Sequence, residues 1–394
     1  MEKTAGATTR MDAIQAPIIA VIGDFIRQVP GTISLGQGVV HYGPPPEALA
    51  AAQSALARPD THQYNDGHGI PALIKRIAAK LAAENGIDVG RGSRIMVTAG
   101  ANMAFFHAVM ATTAPGDEVI LPTPFYFNHE MAIQMAGCRA VRVATDERYQ
   151  LSIDALSRAI TDRTRAIVTV SPSNPSGAVL TESSLGDVNA LCRERGMYHI
   201  ADEPYEYFTY GSARHVSPGS FQSAEGHTIS MYSLSKAFGF AGWRIGYMAY
   251  PAHLAAAMIK SQDTILICPP IASQAAAVAA LDVGRAYCEP YVRELASIRD
   301  IVVSELAALG PLAKVPTADG AFYVLMKVNT TMSPLALAER LIREHKVAVI
   351  PGTAFGMTDG CYFRVAYGAL QKDTVKEGIG RLVKGLQTIL SSRS

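Results

Sequence analysis

Lys236 lies in a segment whose residue types suit covalent amine chemistry better than a solvated surface. The sequence MYSLSKAFGFAGWRIGYMAY, residues 231–250, places Lys236 after Ser233 and Ser235 and before Arg244. A free lysine amine has a pKa of about 10.4 and must lose its proton before it can act as a nucleophile. An amine among hydroxyls, glycines and a guanidinium therefore predicts a lysine that forms a covalent bond.

Polar residues also follow other strand-like runs. Asp202, in IADEPY, ends a buried run, and Tyr205 comes shortly after it. Asn174, in SPSNPSG, lies in a loop after another such run. Because side chains alternate along a strand, Glu203 is expected to point away from Asp202.

The elements that position these residues are predicted to be strands alternating with helices. Strand-like runs open the segments 94–116 and 164–177, and others lie at 117–124, 138–145, 197–205, 227–236 and 242–250. This alternation predicts an α/β fold with a mostly parallel central sheet sandwiched by helices. Loops beyond the carboxyl ends of parallel strands line the ligand crevice, so Asn174, Asp202 and Lys236 should converge there.

After about residue 285 the pattern changes. A long amphipathic helix at 291–309 precedes strand-like segments at 320–328, 347–352 and 361–368. We interpret the chain as an N-terminal arm (1–45), a large domain (46–288) and a small α+β domain (289–394), with the arm packing on the small domain.

Composition excludes several classes of function. The 394 residues carry 35 Lys and Arg against 34 Asp and Glu, a balance that argues against nucleic-acid binding. The sequence has no long apolar run for a secretory signal or membrane span. The five cysteines form no CxxC pair, and His129–Glu130 lacks the second histidine of HExxH, so no metal site is predicted. A reducing cytoplasm is the expected compartment.

Six motifs occur in the order found in one enzyme family. They are QYNDGHGIPALIKRIA, VTAGANMAF, SPSNPSG, ADEPYEYF, SLSKAFGFAGWRIG and FRVAYG, and they span nearly the whole chain. In this the chain resembles the class I and II aminotransferases, the fold-type I enzymes that depend on pyridoxal 5′-phosphate. The resemblance implies transfer of an amino group from an L-α-amino acid to a 2-oxo acid, in a ping-pong cycle through pyridoxamine phosphate.

The resemblance assigns the catalytic residues. Lys236 would hold the coenzyme as an aldimine and, once released, act as general base. Asp202 would pair with the pyridinium nitrogen and keep it protonated. Tyr205 and Asn174 would donate hydrogen bonds to the phenolic oxygen of the coenzyme and stabilise it as an anion.

The remaining assignments concern the phosphate, the ring and the substrate. Backbone N–H groups at a helix start would bind the phosphate, with Ser233, Ser235 and Arg244. By resemblance, Tyr64 would reach the phosphate of the neighbouring subunit, which implies a homodimer. Tyr126 is favoured over Phe125 as the aromatic against the ring. The resemblance assigns the phosphate-binding helix start to Gly100, Ala101 and Asn102. It assigns the substrate α-carboxylate to Arg364, which would bind it as a bidentate fork, together with Gly38 and Asn174.

The sequence does not identify the side chain of the substrate. The arm sequence GQGVVHYGPPP departs from many relatives, and either His41 or Tyr42 is expected to shape the pocket or simply to pack on the surface. No second arginine that would mark a dicarboxylate pocket is evident, but dicarboxylate enzymes with a different recognition solution exist in this family, so a dicarboxylate substrate stays an alternative. A lyase, cyclase or oxidase on the same scaffold is the alternative reaction. A third hypothesis, the effector domain of a transcription regulator, is disfavoured because no DNA-binding domain precedes ISLGQG.

Overall fold

The computed structural model describes residues 9–90 and 92–391. Helices α1 to α13 span Ile18–Gln28, Pro46–Leu56, Pro71–Lys80, Ala101–Thr112, Phe127–Met135, Ile153–Ala159, Glu182–Glu194, Leu234–Ala237, Ala255–Ile265, Ile271–Val283, Glu289–Ala307, Pro334–His345 and Lys372–Ser391. Strands β1 to β13 span Ile33–Ser34, Ser93–Thr98, Glu118–Thr123, Arg139–Ala144, Thr164–Val170, Tyr198–Asp202, Thr228–Ser233, Gly246–Pro251, Ala313–Lys314, Tyr323–Val328, Val347–Ala348, Ile350–Pro351 and Cys361–Ala366. None of these helices is long and apolar enough to cross a bilayer.

A seven-stranded sheet in the order β2-β8-β7-β6-β5-β3-β4 forms the centre of the molecule. Strands β4, β3, β5, β6 and β7 are parallel, whereas β8 runs antiparallel to both of its neighbours. Its inner strands are apolar on both faces because helices cover both sides of the sheet. The predicted α/β class with a mostly parallel sheet is confirmed.

Most of the candidate functional residues lie at one edge of this sheet. Because β8 is antiparallel to β7 and to β2, strand β2 has the same direction as the parallel strands. The carboxyl ends of six strands therefore meet at one edge, and β8 begins there. The polar residues at or just beyond these ends are Asn102, Tyr126, Asn174, Asp202, Ser233 and Lys236.

A second sheet of four strands, in the order β12-β13-β10-β9, is antiparallel throughout. In it Arg364 on β13 lies opposite Leu325 on β10 and Ile350 on β12, so the arginine sits on a central strand. Helices α11 and α12 pack with α13 beside it. The domain limits at 45 and 288 stay a prediction, because sheet membership does not fix them.

The N-terminal segment reaches across to this second unit. Strand β1 pairs in parallel with β11, and α1 contacts α12. The first eight residues of the predicted arm lie outside the described residues. The remainder of the arm, after β1, runs back over the carboxyl edge of the seven-stranded sheet, where Gly38 borders the cavity described next.

Candidate active site

A cavity of about 220 Å³ opens at the carboxyl edge of the large sheet. Most of the sequence-predicted site residues line it, and they come from the arm, from the loops after five strands and from β13. They are Gly38, Ala101, Asn102, Tyr126, Asn174, Asp202, Tyr205, Ser233, Ser235, Lys236, Arg244 and Arg364. Residues more than 300 positions apart in sequence thus share one cavity wall.

Lys236 reaches the cavity from α8, which starts at the end of β7. Its Nζ donates a hydrogen bond to the carbonyl oxygen of Gly38 at 2.5 Å. Burial, with the nearby Arg364 and Arg244, lowers the pKa of Lys236 to about 8, against a smaller opposing effect of Asp202. Near neutral pH a useful fraction of this amine is therefore unprotonated and nucleophilic.

Asp202 ends β6 with its carboxylate 4% exposed. Its Oδ2 lies 3.1 Å from His129 Nε2, whereas Oδ1 has no hydrogen-bond partner among the described residues. A buried carboxylate oxygen without a partner is costly. A ligand that presents an N–H group in the cavity would satisfy this oxygen.

Arg364 is a second buried group that lacks a complement. Its Nη1 donates to Asn174 Oδ1 at 2.8 Å and its Nη2 to the Gly36 carbonyl at 2.7 Å, but Nε is unpartnered. The guanidinium lies over the rings of Tyr323 and Phe355, and no described carboxylate pairs with it. Burial lowers the pKa of Arg364. A carboxylate ligand would supply the missing negative charge.

Arg244 is positioned by backbone carbonyls and by a glycine. Its guanidinium donates to Ala99 O at 3.1 Å and to Ala241 O at 2.9 Å. Gly100, with φ of +80°, precedes α4, and a Cβ there would lie 2.5 Å from Arg244 Nη2. Gly100 does not line the cavity itself; it leaves room for this cation beside the N-terminus of α4.

The two candidate aromatic residues after β3, Phe125 and Tyr126, lie in different places. Tyr126 lines the cavity and its hydroxyl accepts from Asn128 at 2.9 Å. Phe125 is 2% exposed and packs in the core beneath, 5.6 Å from the Arg142 guanidinium. Of these two residues, only Tyr126 borders the cavity.

The predicted contacts of Tyr205 and Tyr64 with a coenzyme stay predictions. Tyr205 lines the cavity, but its hydroxyl bonds to Tyr323 at 2.7 Å, and burial raises the pKa of the Tyr205 phenol. Tyr64 is far more exposed, at 79%, and borders a surface hollow with Cys268 and Ile271 instead. Glu203 points away from the cavity, as strand alternation requires.

Sequence reasoning missed several residues of this site. His129 lies one helical turn beyond Tyr126 on α5, so the i, i+3 spacing could have placed it on the same face; it was weighed only as a metal ligand. Tyr323 comes from β10, and no local pattern ties it to Tyr205. Other missed lining residues are Ile19, Gln37 and Phe127.

Comparison with known proteins gives consistent results. The family model for aminotransferase class I and II matches residues 30–382. An aromatic aminotransferase of Arabidopsis thaliana (ISS1) is 35% identical, with 95% of this chain and 94% of that protein covered. The structure of an aspartate aminotransferase from Thermus thermophilus with maleate has a TM-score of 0.89 at 32% identity, covering 97% and 100%. An aromatic aminotransferase structure from Pyrococcus horikoshii has a TM-score of 0.86 at 33% identity, covering 94% and 99%.

Proposed function

The chain belongs to the class I and II aminotransferase family and is an aminotransferase, and from this premise we propose that it holds pyridoxal 5′-phosphate in the cavity around Lys236. The family depends on this coenzyme. When bound, it supplies an electrophilic aldehyde and an electron sink for the bonds at the substrate α-carbon. The lyase, cyclase or oxidase alternative is not favoured, because the relatives described above are named aminotransferases.

One observation carries the proposal: Lys236 and Asp202 face the same cavity, and Asp202 Oδ1 is buried without a partner. A protonated ring nitrogen would satisfy that oxygen and would itself be kept cationic by the carboxylate. His129 would hold Asp202 in place through its other oxygen. Tyr126 would lie against one face of the ring, and Asn174 and Tyr205 would donate to its phenolic oxygen.

The phosphate end is supported by a set of donors around the start of α4. Backbone N–H groups of Ala101 and Asn102 begin this 12-residue helix, where the macrodipole favours an anion. Ser233 and Ser235 add hydroxyl groups, and Arg244 adds a positive charge next to them. A phosphate would accept hydrogen bonds from these donors, and Arg244 would offset part of its negative charge.

Lys236 and Arg364 would have different roles toward the substrate, proton transfer and carboxylate binding respectively. Arg364, with Asn174 and the Gly38 segment, binds the α-carboxylate and so orients the bonds at the α-carbon. Lys236 Nζ would be the attachment point of the coenzyme, and its amine would accept and return the substrate α-proton as general base. Fixing the carboxylate directs the reaction to the C–H bond rather than to decarboxylation.

The substrate side chain would be neutral and largely apolar. Lys236, Arg244 and Arg364 are the cations lining the cavity among the described residues, and each has a role above. Ile19 and Phe127 form apolar wall beside them. An aromatic or aliphatic amino donor fits this wall better than a dicarboxylate does, and the Arabidopsis and Pyrococcus horikoshii relatives are named for aromatic substrates.

We further propose a homodimer in the cytoplasm. Tyr64 is a large aromatic that is 79% exposed and does not line the cavity of its own chain, which suits a residue that completes the phosphate site of a second copy. The five cysteines are unpaired, in keeping with a reducing compartment.

Spectra of single half-reactions test the proposal. The purified protein should absorb in the visible region at roughly 400 nm, from bound coenzyme. An amino donor alone should then convert the coenzyme to its amine form, faster for Phe, Tyr, Leu or Met than for Asp or Glu. A colourless protein that takes up no added coenzyme would refute the cofactor, and faster conversion by Asp would refute the side-chain preference alone. Sedimentation analysis should give a dimer.

A further inference from the structure

A short stretch of the arm, residues 38–43, lies directly on the turn that carries Lys236. Lys236 Nζ donates to Gly38 O, and the hydroxyl of Tyr42 donates to the backbone carbonyl of Lys236 at 2.9 Å. A Cβ on Gly239 would lie only 2.6 Å from backbone atoms of Tyr42 and Gly43. The arm therefore contacts the lysine at its amine, at its own backbone and at the residues after it.

This stretch is anchored from outside by the segment around the start of α11. The Tyr42 ring stacks on Tyr291 with centroids 3.8 Å apart and planes 12° apart. The Tyr287 hydroxyl donates to Gly43 O at 2.6 Å. His41 Nε2 lies 3.5 Å from a carboxylate oxygen of Glu294. The ring of Tyr42 thus packs against Tyr291, while its hydroxyl points to the Lys236 carbonyl.

The hydrogen bond from the Tyr42 hydroxyl to the Lys236 carbonyl has a donor that is buried and protonated. The helix that presents Lys236, α8, has four residues, Leu234–Ala237, and its turn is closed by N–H groups of Phe238 and Gly239 that donate to the Lys236 carbonyl. The Tyr42 hydroxyl is a donor to the same carbonyl from outside the turn. Burial raises the pKa of the Tyr42 phenol, so the hydroxyl stays protonated and can donate. Tyr42 is not one of the residues that line the cavity.

We propose that Tyr42 is a positioning residue for Lys236, whose hydroxyl holds the Lys236 backbone in the place from which the amine reaches both the coenzyme and the substrate. The proposal rests on the role of Lys236 in the proposed function. It assigns His41 and Tyr42 to the anchoring of the catalytic turn and not to the recognition of the substrate side chain.

The test removes one hydroxyl and leaves the ring stack. Tyr42→Phe deletes the bond to Lys236, and Tyr291→Phe, the matched control, deletes the hydroxyl of the stacked partner. In the coenzyme-free protein, amide hydrogen exchange in residues 234–240 should be about 10-fold faster in Tyr42→Phe than in Tyr291→Phe, as expected from loss of one buried hydrogen bond. In the holoenzyme, kcat should fall by a similar factor, about 10-fold, with KM unchanged.

A second pair of variants approaches the same contact from the other side. Gly239 and Gly211 both have positive φ, +66° and +62°, but only at Gly239 would a Cβ meet the arm. Gly239→Ala should speed exchange in both 38–43 and 234–240, and Gly211→Ala should speed neither. Equal effects within each pair, or exchange that rises throughout the molecule, would overturn the proposal. Reductive trapping of wild-type coenzyme on Lys236 tests the proposed function separately.

Discussion

Two neighbouring carboxylates at the end of β6 have opposite surroundings. Asp202 faces the cavity, and Glu203 faces a buried polar group that we call the Glu203 cluster, consisting of Lys80, Asn85, Glu203, Glu206, His215 and Ser217. In it Glu203 Oε2 lies 2.9 Å from His215 Nε2 and accepts from Ser217 at 2.5 Å, while Lys80 pairs with Glu206 and donates to Asn85 at 2.8 Å.

Burial does not distinguish the two carboxylates. Asp202 is 4% exposed and Glu203 is 1% exposed, and each keeps one oxygen without a partner among the described residues. The difference lies in what surrounds them. Glu203 has His215 and Ser217 of this chain as partners and does not line the cavity, whereas Asp202 lines it together with Lys236 and Arg364. A cavity with unmatched charges identifies a ligand site; an unpartnered atom alone does not.

The largest contrast is expected between the two buried lysines. Lys236→Ala should lower the turnover of transamination by about 10⁴-fold, because it removes the attachment and the general base. An external amine such as methylamine should restore part of the activity. Lys80→Met should lower the free energy of unfolding by about 3–5 kcal/mol, because it leaves Glu206 buried without its cation.

Reductive trapping with borohydride and mass mapping checks this contrast, with denaturant unfolding measured on the same proteins. The folded fraction of Lys80→Met should still trap coenzyme on Lys236, and Lys236→Ala should trap none. Trapping on Lys80 in either variant would contradict the comparison.

The two carboxylates give the next contrast. Asp202→Asn should reduce kcat by about 10²–10³-fold, because the ring nitrogen loses the anion that keeps it protonated. Glu203→Gln should leave kcat within about threefold and cost about 1–3 kcal/mol of stability, because His215 and Ser217 lose a charged acceptor. Steady-state kinetics and urea unfolding separate the outcomes. A larger loss of kcat in Glu203→Gln would show that the faces of β6 are misassigned.

The pKa of Lys236 predicts a pH-dependent stability in the coenzyme-free protein. Its folded value of about 8 lies below the unfolded value of 10.5. The unfolded chain therefore binds more protons between these values, so the stability of wild type relative to Lys236→Met should rise from pH 8 to pH 10.5, by up to about 3 kcal/mol. The free energy of unfolding measured across this range tests the sign. A difference that is flat or falls with pH would contradict it.

Arg364 gives the smallest of these effects and addresses the substrate side of the cavity. Arg364→Ala should raise the KM for amino acids by about 10²-fold, from the loss of a bidentate charged contact, while coenzyme affinity changes little. Arg381→Ala is the control, since Arg381 is a partly exposed arginine that pairs with Glu377. Coenzyme titration and steady-state kinetics measure both quantities. Equal loss of coenzyme and substrate binding would argue against carboxylate recognition by Arg364.

Local sequence determined the frame and most of the reactive groups. Apolar runs that end in polar loops placed Asn174, Asp202 and Lys236 at strand ends, and parallel strands bring such ends to one edge. The period of two along β6 set Glu203 opposite Asp202. The order of six motifs supplied the family and, with it, Arg364. These patterns involve residues close in sequence, or motifs in a fixed order along the chain, so the sequence alone is enough to recognise them.

Tertiary structure alone decided which side chains complete the site. His129 meets Asp202, Tyr323 meets Tyr205, and Tyr42 meets the Lys236 carbonyl across 73, 118 and 194 positions of sequence respectively. Such pairs depend on how helices and sheets pack, and no periodicity records them. The choice of Tyr126 over Phe125 was likewise fixed by the way the chain turns after β3. The sequence thus selects the chemistry through residue type, and packing selects the partners that hold it in place.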